Sequence, residues 1–213
     1  MADTLITIGR QFGSNGRIIG ERVAEKLGIP CYDKQLVKRA AKESGLWEDL
    51  LDQMDEKPTN SFLYSIVMDP YAYSYSFDKQ GYSMNLNQKA FMATYTTVEK
   101  LAGEGPGVFI GRCADYILRD MPGVLNVFIY APMEVRIKTI MERFGLSEKH
   151  AKDQIQKEDK ARASYYNYYT SNKWGKMESY DLSIDSSLLG PDATADLIIE
   201  TSEKLVKRTS WEK

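Results

Sequence analysis

Histidine, cysteine and long apolar runs are scarce in this chain of 213 residues, and each scarcity excludes a class of protein. The single histidine, His150, leaves one candidate base for a Ser-His-Asp or Cys-His mechanism, and its polar helical surroundings predict a surface position. The two cysteines, Cys31 and Cys113, lie far apart with no CxxC motif, which argues against a disulfide framework and against a zinc site.

The chain also lacks the signals of a secreted or membrane protein. No run approaches ~18 consecutive apolar residues, and the opening MADTLITIG has no basic segment of the kind that begins a signal peptide. Acidic and basic residues nearly cancel, at a formal charge of -2, so the overall balance indicates neither a nucleic acid nor a membrane surface as partner. We therefore expect a cytoplasmic protein with small-molecule partners, and the composition predicts no particular oligomeric state.

Short apolar runs alternate with helical patterns along the chain, in which hydrophobic residues make up 43%, enough for the core of one domain over 1–213. Runs that predict strands occur at 4–9, 29–33, 107–111, 124–131 and 180–187. Patterns that predict helices occur at 17–28, 34–45, 87–105, 114–121, 132–145, 147–175 and 191–208. This alternation predicts an α/β fold in which helices cover both faces of a five-stranded parallel sheet.

The stretch ITIGRQFGSNGRIIG, residues 6–20, passes from a β-branched run through a glycine-rich loop into a helical pattern. Glycines let the backbone approach an anion closely, and the start of the next helix offers free N–H groups. Arg17, in the first turn of that helix, adds a positive charge and a forked donor for phosphate. The pattern predicts a phosphate-binding loop, although a sharp strand-to-helix turn would need the same glycines.

A dinucleotide-binding fold is another interpretation of this stretch. Such a fold also has a glycine turn after its first strand and an acid at the end of its second, and Asp33 follows Gly16 by 17 residues. The glycines at 9, 13 and 16 do not form its GxGxxG pattern, however. An NAD(P)-binding oxidoreductase is therefore the less favoured alternative.

Five segments, in this order, resemble the cytidylate kinase-like group of P-loop nucleoside monophosphate kinases. They are ITIGRQFGSNGRIIGERVAEKLGIPCYDKQLV, the central strand with a Gly-Arg pair GVFIGRCADYIL, the strand and helix VLNVFIYAPMEVRIKTIMERFG, the lid sequence KEDKARASYYNYY and the last strand YDLSIDSSLLG. The resemblance therefore runs almost from end to end of the chain.

This resemblance implies an adenylate-kinase-like P-loop NTPase fold with three α/β/α layers, a helical acceptor-binding insertion and a helical lid. The insertion corresponds to 34–104 and the lid to 143–175. The phosphates of ATP would lie on the loop, at Gly13, Ser14, Asn15, Gly16, Arg17 and Ile18. Closure of the lid would exclude water, which otherwise hydrolyses the nucleotide.

Phosphoryl transfer needs positive charge around the transferred group, and the resemblance implies arginines for it. Arg17 takes the position of the loop lysine, and Arg112 corresponds to the Gly-Arg pair and would face an acceptor phosphate. With Arg162 of the lid they form the predicted catalytic set. The further predicted contacts are Asp33 and Arg39 for the acceptor and Arg143, Lys157 and Lys160 in the lid.

These predicted residues also have structural alternatives. Asp33 could instead cap the helix predicted at 34–45, and the lid cations could belong to a solvated helix face. The tyrosines at 165, 166, 168 and 169 and Trp174 are predicted to pack against the protein and not to stack on a base.

The loop departs from the standard sequence GxxxxGK[ST] at three positions. Gln11, Arg17 and Ile18 stand where that sequence has glycine, lysine and a hydroxyl residue. The hydroxyl is a usual magnesium ligand, and Ile110 ends its strand where an acid would help to hold the metal. The resemblance implies ATP and Mg²⁺ as cofactors, with Asp33 as a residue that could help to hold the metal and no metal ligand assigned.

Two functions follow. The first is an ATP-dependent phosphotransferase of the nucleoside monophosphate kinase type, with CMP, dCMP or another small phosphorylated or hydroxyl compound as acceptor. The second is a non-catalytic nucleotide-binding protein that kept the fold and lid and reports nucleotide through lid closure. The pair Ile18 and Ile110 separates them, because a chain without other magnesium ligands favours the second.

Overall fold

A computed structural model describes residues 4–33 and 86–209, with side chains over 4–33 and 91–205. Most of the predicted acceptor-binding insertion, including Arg39 and the helix predicted at 34–45, lies outside the described residues. The strands are β1 (Leu5–Arg10), β2 (Cys31–Tyr32), β3 (Gly107–Ile110), β4 (Val124–Tyr130) and β5 (Leu182–Asp185). The helices are α1 (Gly16–Leu27), α2 (Leu86–Glu104), α3 (Ala114–Ile117), α4 (Met133–Phe144), α5 (Glu148–Thr170) and α6 (Ser186–Thr209), with a 3₁₀ turn at Met177–Ser179.

The five strands form one parallel sheet in the order β2-β3-β1-β4-β5. β1 is central, and its Ile6 lies opposite Val108 of β3 on one side and Leu125 of β4 on the other. Because the strands are parallel, their carboxyl ends meet at one edge of the sheet, and a crevice opens where the chain order reverses beside β1. The glycine-rich loop follows β1 at that edge.

Apolar side chains on both faces of the sheet are covered by helices. On one face, Ile19 and Val23 of α1 and Ile198 of α6 belong to a buried cluster that includes Ile8 and Val127. The other face is covered by a second buried cluster, which includes Leu5, Val98, Leu101, Phe109, Ile117 and Leu118. Each fully buried isoleucine or leucine stabilises the fold by about 1.5–3 kcal/mol. The predicted three-layer α/β/α architecture is therefore confirmed.

Several element bounds differ from those predicted. Helix α3 ends at Ile117, four residues before the predicted end, and β5 is shorter than the run 180–187. Helix α6 starts at Ser186, with a break at Gly190, whose φ of 72° and ψ of 173° are not helical. Pro191 then begins the longer helical part, which is the part that the periodicity of the sequence predicts.

The predicted lid segment consists mainly of one helix, α5, of 23 residues. Its first half packs on α4, where Ile140, Ala151 and Ile155 form a small buried cluster. Ser147 caps it, with its hydroxyl accepting from His150 N. The aliphatic contacts fix α5 against α4, beside the loop that follows β1.

Over 4–33 and 86–209, each helix is too short or too polar to cross a membrane.

Candidate active site

The glycine loop, residues 11–15, joins β1 to α1 and is bonded to the sheet on its inner side. Gln11 N donates to Ile129 O at 3.0 Å. The hydroxyl of buried Ser14 lies 2.9 Å from Gln11 O and 3.2 Å from Ile129 O. Ser186, just after β5, donates its hydroxyl to Ser14 O at 2.7 Å. The loop is thus fastened to β4 and to the start of α6.

The outer side of the glycine loop presents the amino end of α1. The backbone turns through left-handed conformations at Gly13, with φ 81°, and at Asn15, with φ 60°. The first bond along the helix runs from Ile19 N to Asn15 O at 2.9 Å, so the amides of residues 16–18 precede it and have no acceptor within the helix. These N–H groups and the positive end of the helix dipole favour an anion at the carboxyl end of β1.

Two glycines of this region lie directly against other protein atoms. A Cβ on Gly16 would lie 2.5 Å from Arg10 Cβ, and one on Gly13 would lie 3.0 Å from the carbonyl oxygen of Arg136. At Gly16 the atoms must shift to admit a side chain, and at Gly13 the neighbouring residue must move by a few tenths of an ångström. The glycines therefore let the loop lie close to β1 and α4, which is a structural need separate from any ligand.

Helix α5 contacts the glycine loop through two side chains. Asp159 Oδ1 accepts from Phe12 N at 2.7 Å, and its Oδ2 pairs with Arg136 Nη1 of α4 at 2.5 Å. One turn later, Arg162 Nη1 donates to Arg10 O at 3.0 Å. The Arg162 guanidinium also lies over the Phe12 ring, 5.5 Å from its centroid. Helix α5 is therefore docked on the first half of the loop.

The predicted lid cations divide into two pairs. Arg143, at the end of α4, donates from Nη2 to Asn15 Oδ1 at 2.9 Å, and Arg162 reaches the loop as described. Lys157 and Lys160 lie on α5 with exposed side chains. The structure therefore brings Arg143 and Arg162 to the loop and leaves the two lysines at the surface of α5.

Arg17 and Asp33 face each other across the carboxyl ends of β1 and β2. Arg17 Nε lies 2.9 Å from Glu21 Oε1 and 3.3 Å from Asp33 Oδ2, and its side chain is 53% exposed. The hydrogen bond to Glu21 and the charge of Asp33 raise the pKa of Arg17. Arg10, whose side chain is buried, places Nη2 4.0 Å from Asp33 Oδ1. The Asp33 carboxylate thus lies between two guanidinium groups, one buried and one exposed.

The Gly-Arg pair after β3 lies in a tight turn. Gly111, Arg112 and Cys113 have φ values of 71°, 57° and 58°, three consecutive left-handed residues. Such conformations are unfavourable for side chains other than glycine and concentrate at functional sites. The turn leads into α3, whose Asp115 accepts from Tyr166 OH of α5 at 2.6 Å. Burial raises the pKa of Asp115, while the Tyr166 hydrogen bond partly opposes that rise.

Three residues of this site, Arg10, Arg136 and Asp159, are absent from the predicted set. Each nevertheless carries a signal in the sequence. Arg10 is a charged residue directly after the buried run TLITIG, and Arg136 falls among the apolar positions of α4. Asp159 precedes Arg162 by three residues, a spacing that puts both on one helix face. Pairing of buried charges across three elements requires the fold, so sequence periodicity alone does not predict it.

A family model described as the cytidylate kinase-like family matches residues 5–188. The chain belongs to this family. The matched span begins with β1 and ends just inside α6, so it contains the whole described sheet, the glycine loop and α5. The resemblance of the five sequence segments is therefore confirmed at the level of the family.

Individual relatives of the chain are distant in sequence. The cytidylate kinase of Methanopyrus kandleri is 22% identical over 213 residues, covering 96% of this chain and 95% of that protein. A uronate isomerase of Corynebacterium glutamicum is 31% identical over 118 residues, which are 55% of this chain and 23% of that protein. This chain thus corresponds to less than a quarter of the isomerase.

Solved structures agree with the family assignment. An uncharacterized protein from Eubacterium ventriosum superposes with a TM-score of 0.70 at 27% identity, covering 94% of this chain and 98% of that one. A gluconokinase from Sinorhizobium meliloti gives a TM-score of 0.53 at 13% identity, covering 99% and 98%. At that identity the gluconokinase shows a shared P-loop kinase fold and nothing of the acceptor.

Aromatic residues of helix α5 and of the segment after it pack against α2 and β4. Phe91 of α2 stacks on Tyr169, with ring centroids 4.0 Å apart and planes 9° apart, and meets Tyr165 edge-on at 6.3 Å. Trp174 meets Phe128 of β4 edge-on at 5.4 Å. Tyr165, Tyr169 and Trp174 thus pack against the protein as predicted, whereas Tyr168 is exposed.

The family implies a nucleotide such as ATP, and with it magnesium, but the described residues do not fit a resident magnesium ion. Ile18 has no hydroxyl, and the Ser14 hydroxyl is engaged with two backbone carbonyls. Asp33 is paired with Arg17 and Arg10. Over 4–33 and 86–209, no three His, Cys, Asp or Glu side chains cluster closely enough to hold a metal ion. The described residues therefore offer no assigned ligand for magnesium.

Proposed function

We propose that this protein is an ATP-dependent phosphotransferase of the nucleoside monophosphate kinase type. The observation that carries the proposal is the amino end of α1 at the carboxyl end of the central strand, with Arg143 bonded to Asn15 and Arg162 bonded to Arg10 at the start of the glycine loop. A phosphate chain needs such amides together with cations on its open side. Membership of the cytidylate kinase-like family supports the same function.

On the donor side, the amides of residues 13–18 would bind the phosphates of ATP. Arg143 and Arg162 would neutralise charge that develops on the transferred group, because guanidinium groups bind phosphate oxygens with paired N–H donors. Lys157 and Lys160, whose side chains are exposed in this structure, are the further lid cations that could join them. Docking of α5 over the loop would keep water from the phosphates.

On the acceptor side, Arg112 and Asp33 end neighbouring strands of the sheet. Arg112 would face an acceptor phosphate, and Asp33 would accept a hydrogen bond from a hydroxyl or amino group of the acceptor. Arg17 is held by Asp33, so we assign it to the boundary between the two sides. A ligand phosphate could draw Arg17 from its carboxylate partners, since its side chain is largely exposed. CMP and dCMP are the first acceptors to test.

The second candidate is a nucleotide sensor without efficient turnover. It is favoured by the poor fit of the described residues to magnesium, because a kinase usually needs the metal at the transferred group. A third candidate, an NAD(P)-binding oxidoreductase, would use Asp33 for a ribose hydroxyl. The two ion pairs of Asp33 with arginines do not favour that role, since they would have to be broken first.

The test is ADP release from ATP and magnesium in the presence of a panel of acceptors. The panel holds the common nucleoside monophosphates and, separately, small hydroxyl acids. Arg17→Ala is compared with Arg22→Ala, a control on the same helix whose arginine pairs with Asp192 of α6, away from the loop. Binding of ATP and of NAD(P) is measured in parallel by calorimetry.

Turnover with one acceptor that falls at least about tenfold in Arg17→Ala and stays within about twofold in Arg22→Ala would support the kinase. ATP binding without turnover on any acceptor would favour the sensor. NAD(P) binding without ATP binding would favour the oxidoreductase. Failure to bind either ATP or NAD(P) would remove the phosphate-binding role of the glycine loop.

A further inference from the structure

The peptide groups on both sides of Phe12 are held by one buried ion pair. Asp159 Oδ1 accepts from Phe12 N at 2.7 Å, while Arg136 Nη1 lies 3.4 Å from Phe12 O. Asp159 Oδ2 and Arg136 Nη1 are themselves paired at 2.5 Å. A carboxylate from α5 and a guanidinium from α4 therefore bind the backbone of the same residue of the glycine loop.

The environment of this pair makes its bonds strong. The side chains of Arg136 and Asp159 are 7% and 18% exposed, so water competes little for either charge. Hydrogen bonds that involve an ionised partner are about twice as strong as neutral ones. The pair therefore restrains the Phe12 backbone far more than an exposed salt bridge would.

Phe12 directly precedes the point where the loop turns toward the phosphate-binding amides. Gly13 has a left-handed φ of 81°, and its Cα faces the backbone of Arg136. The orientation of the Phe12 peptide sets the direction in which the chain enters Gly13. A rotation there would displace the amides of residues 13–16 relative to a bound phosphate.

Arg162 extends the same contact by one helical turn. It donates to Arg10 O, two residues before Phe12, so α5 holds the backbone at both 10 and 12. Asp159 and Arg162 thus act on the loop from one face of one helix. The position of α5 and the geometry of the loop cannot change independently.

We propose that Asp159 is a positioning residue of the phosphate-binding loop, which through Phe12 and Arg136 couples docking of α5 to the loop's affinity for phosphate. The proposal rests on the proposed function, since it needs a loop that binds phosphates. It adds a residue outside the predicted set and a direction of coupling: docked α5 favours phosphate binding, and by linkage phosphate favours docked α5.

A merely structural role for the pair makes a different prediction. In that case, loss of Asp159 would lower the free energy of unfolding and reduce the binding of every ligand through loss of folded protein. If Asp159 positions the loop, its loss lowers the affinity for ligands that carry phosphates and not the affinity for adenosine. Each folded chain still binds one ligand. The ratio of ATP to adenosine affinity separates the two.

The experiment compares Asp159→Asn with Asp153→Asn, the same substitution at an exposed position of the same helix. Calorimetry gives the affinity and stoichiometry for ATP, inorganic tripolyphosphate and adenosine. Hydrogen exchange reports protection of the Phe12 amide and of α5 with and without tripolyphosphate. Because Asp159→Asn leaves buried Arg136 without its charge partner, the double variant Asp159→Asn/Arg136→Gln is prepared as well, so that no buried charge is stranded.

In Asp159→Asn we expect affinity for ATP and tripolyphosphate to fall about tenfold or more, with adenosine within about twofold and a stoichiometry of one. Tripolyphosphate should protect α5 in the wild type and in Asp153→Asn but not in Asp159→Asn. If the single variant does not fold, the double variant must show the same selective loss.

Equal losses for all three ligands, or unchanged tripolyphosphate affinity in a folded variant, would overturn the proposal while leaving the proposed function intact. A wild-type protein that binds neither ATP nor tripolyphosphate would overturn both. The wild-type titration is therefore made first, and it distinguishes the two failures.

Discussion

The two sides of the candidate site are built in different ways. On the donor side, the glycine loop is made of backbone groups fixed by buried partners, among them Ser14, Asp159 and Ser186. On the acceptor side, the charged side chain of Asp33 pairs with the exposed Arg17 at the boundary between the two sides. The loop backbone can change only if the fold changes. The charged side chains of the acceptor side can leave one another and bind a ligand.

The donor side therefore serves the fold as well as the nucleotide, whereas the acceptor side serves recognition of the acceptor. Backbone amides bind any phosphate chain, and they do not distinguish one acceptor from another. The exposed pair of Arg17 with Glu21 contributes little to stability, about 0–1 kcal/mol, whereas Asp33 is largely buried and also faces the buried Arg10. We therefore expect donor-side substitutions to affect folding and nucleotide binding together, and acceptor-side substitutions to lower turnover with a much smaller effect on ATP affinity.

The largest effect is expected from Gly16→Ala on the donor side. The new methyl would lie 2.5 Å from Arg10 Cβ, so the loop must move away from β1. Overpacking of this kind costs about 1–3 kcal/mol of folding free energy. A displacement of the loop of the order of 1 Å would lower kcat/KM about 100-fold. Urea unfolding measures the first effect and initial rates measure the second, while ATP titration reports the affinity of the displaced loop.

Gly103→Ala, in α2, is the matched control for that substitution. A Cβ there meets no atom within 4 Å, and alanine is the better helix former, so stability should rise by up to about 1 kcal/mol. If Gly16→Ala binds ATP as the wild type does, the donor side is not fixed by close packing and the contrast between the two sides fails.

A smaller effect is expected from Asp33→Asn on the acceptor side. The substitution releases Arg17 and weakens the hold on Arg10 without touching the loop backbone. Turnover with the acceptor should fall about tenfold, while the ATP dissociation constant changes less than about threefold. Initial rates and calorimetry measure these two quantities.

Glu21→Gln serves as its control, because it removes the other carboxylate of Arg17 on the exposed side. That pair is solvent-exposed, and its loss should change turnover less than about twofold. An ATP affinity that falls in step with turnover in Asp33→Asn would contradict the division of the site and assign Asp33 to the donor side.

The smallest effect is expected from Tyr166→Phe, which tests a buried pair behind the acceptor side. Tyr166 OH donates to Asp115, whose pKa is raised by burial and held down in part by this bond. Without the donor, the Asp115 pKa rises further, and ionised Asp115 becomes less favourable. We expect the free energy of unfolding to fall by about 1–2 kcal/mol at pH 7, with turnover unchanged.

The pH dependence of that loss has a definite sign. A carboxyl group with a raised pKa in the folded state stabilises the fold fully below its unfolded pKa of about 4, and this contribution is lost as pH rises through the folded pKa. The difference between Tyr166→Phe and the wild type should therefore shrink as urea midpoints are measured from pH 7 down to pH 4. Tyr168→Phe, with an exposed ring, should show no such trend.

Sequence reasoning predicted the sheet because its evidence is local. The β-branched runs of β1, β3 and β4 are buried on both faces, and the five strands lie in the predicted order along the chain. The glycine loop was predicted from its place between a strand and a helix. Periodicity and turn residues are enough for these features, because they depend on neighbours in the chain.

The partners of charged residues could not be predicted in the same way. Arg17 was expected on phosphate, and in this structure it lies with Glu21 and Asp33. The pairing of Arg136 with Asp159 joins two helices across 23 positions of sequence, and the choice of partner depends on helix packing. Ion pairs of this kind follow from the fold and leave no periodic trace, whereas the apolar core does.

The contact of Gly16 with Arg10, and of Gly13 with Arg136, has a consequence for evolution. Side chains of the protein itself exclude larger residues at these positions, whether or not a nucleotide binds. Selection for folding alone would then preserve both glycines in descendants that had abandoned catalysis. The motif is accordingly a marker of shared ancestry, and active members of the lineage must be recognised by the charges around it.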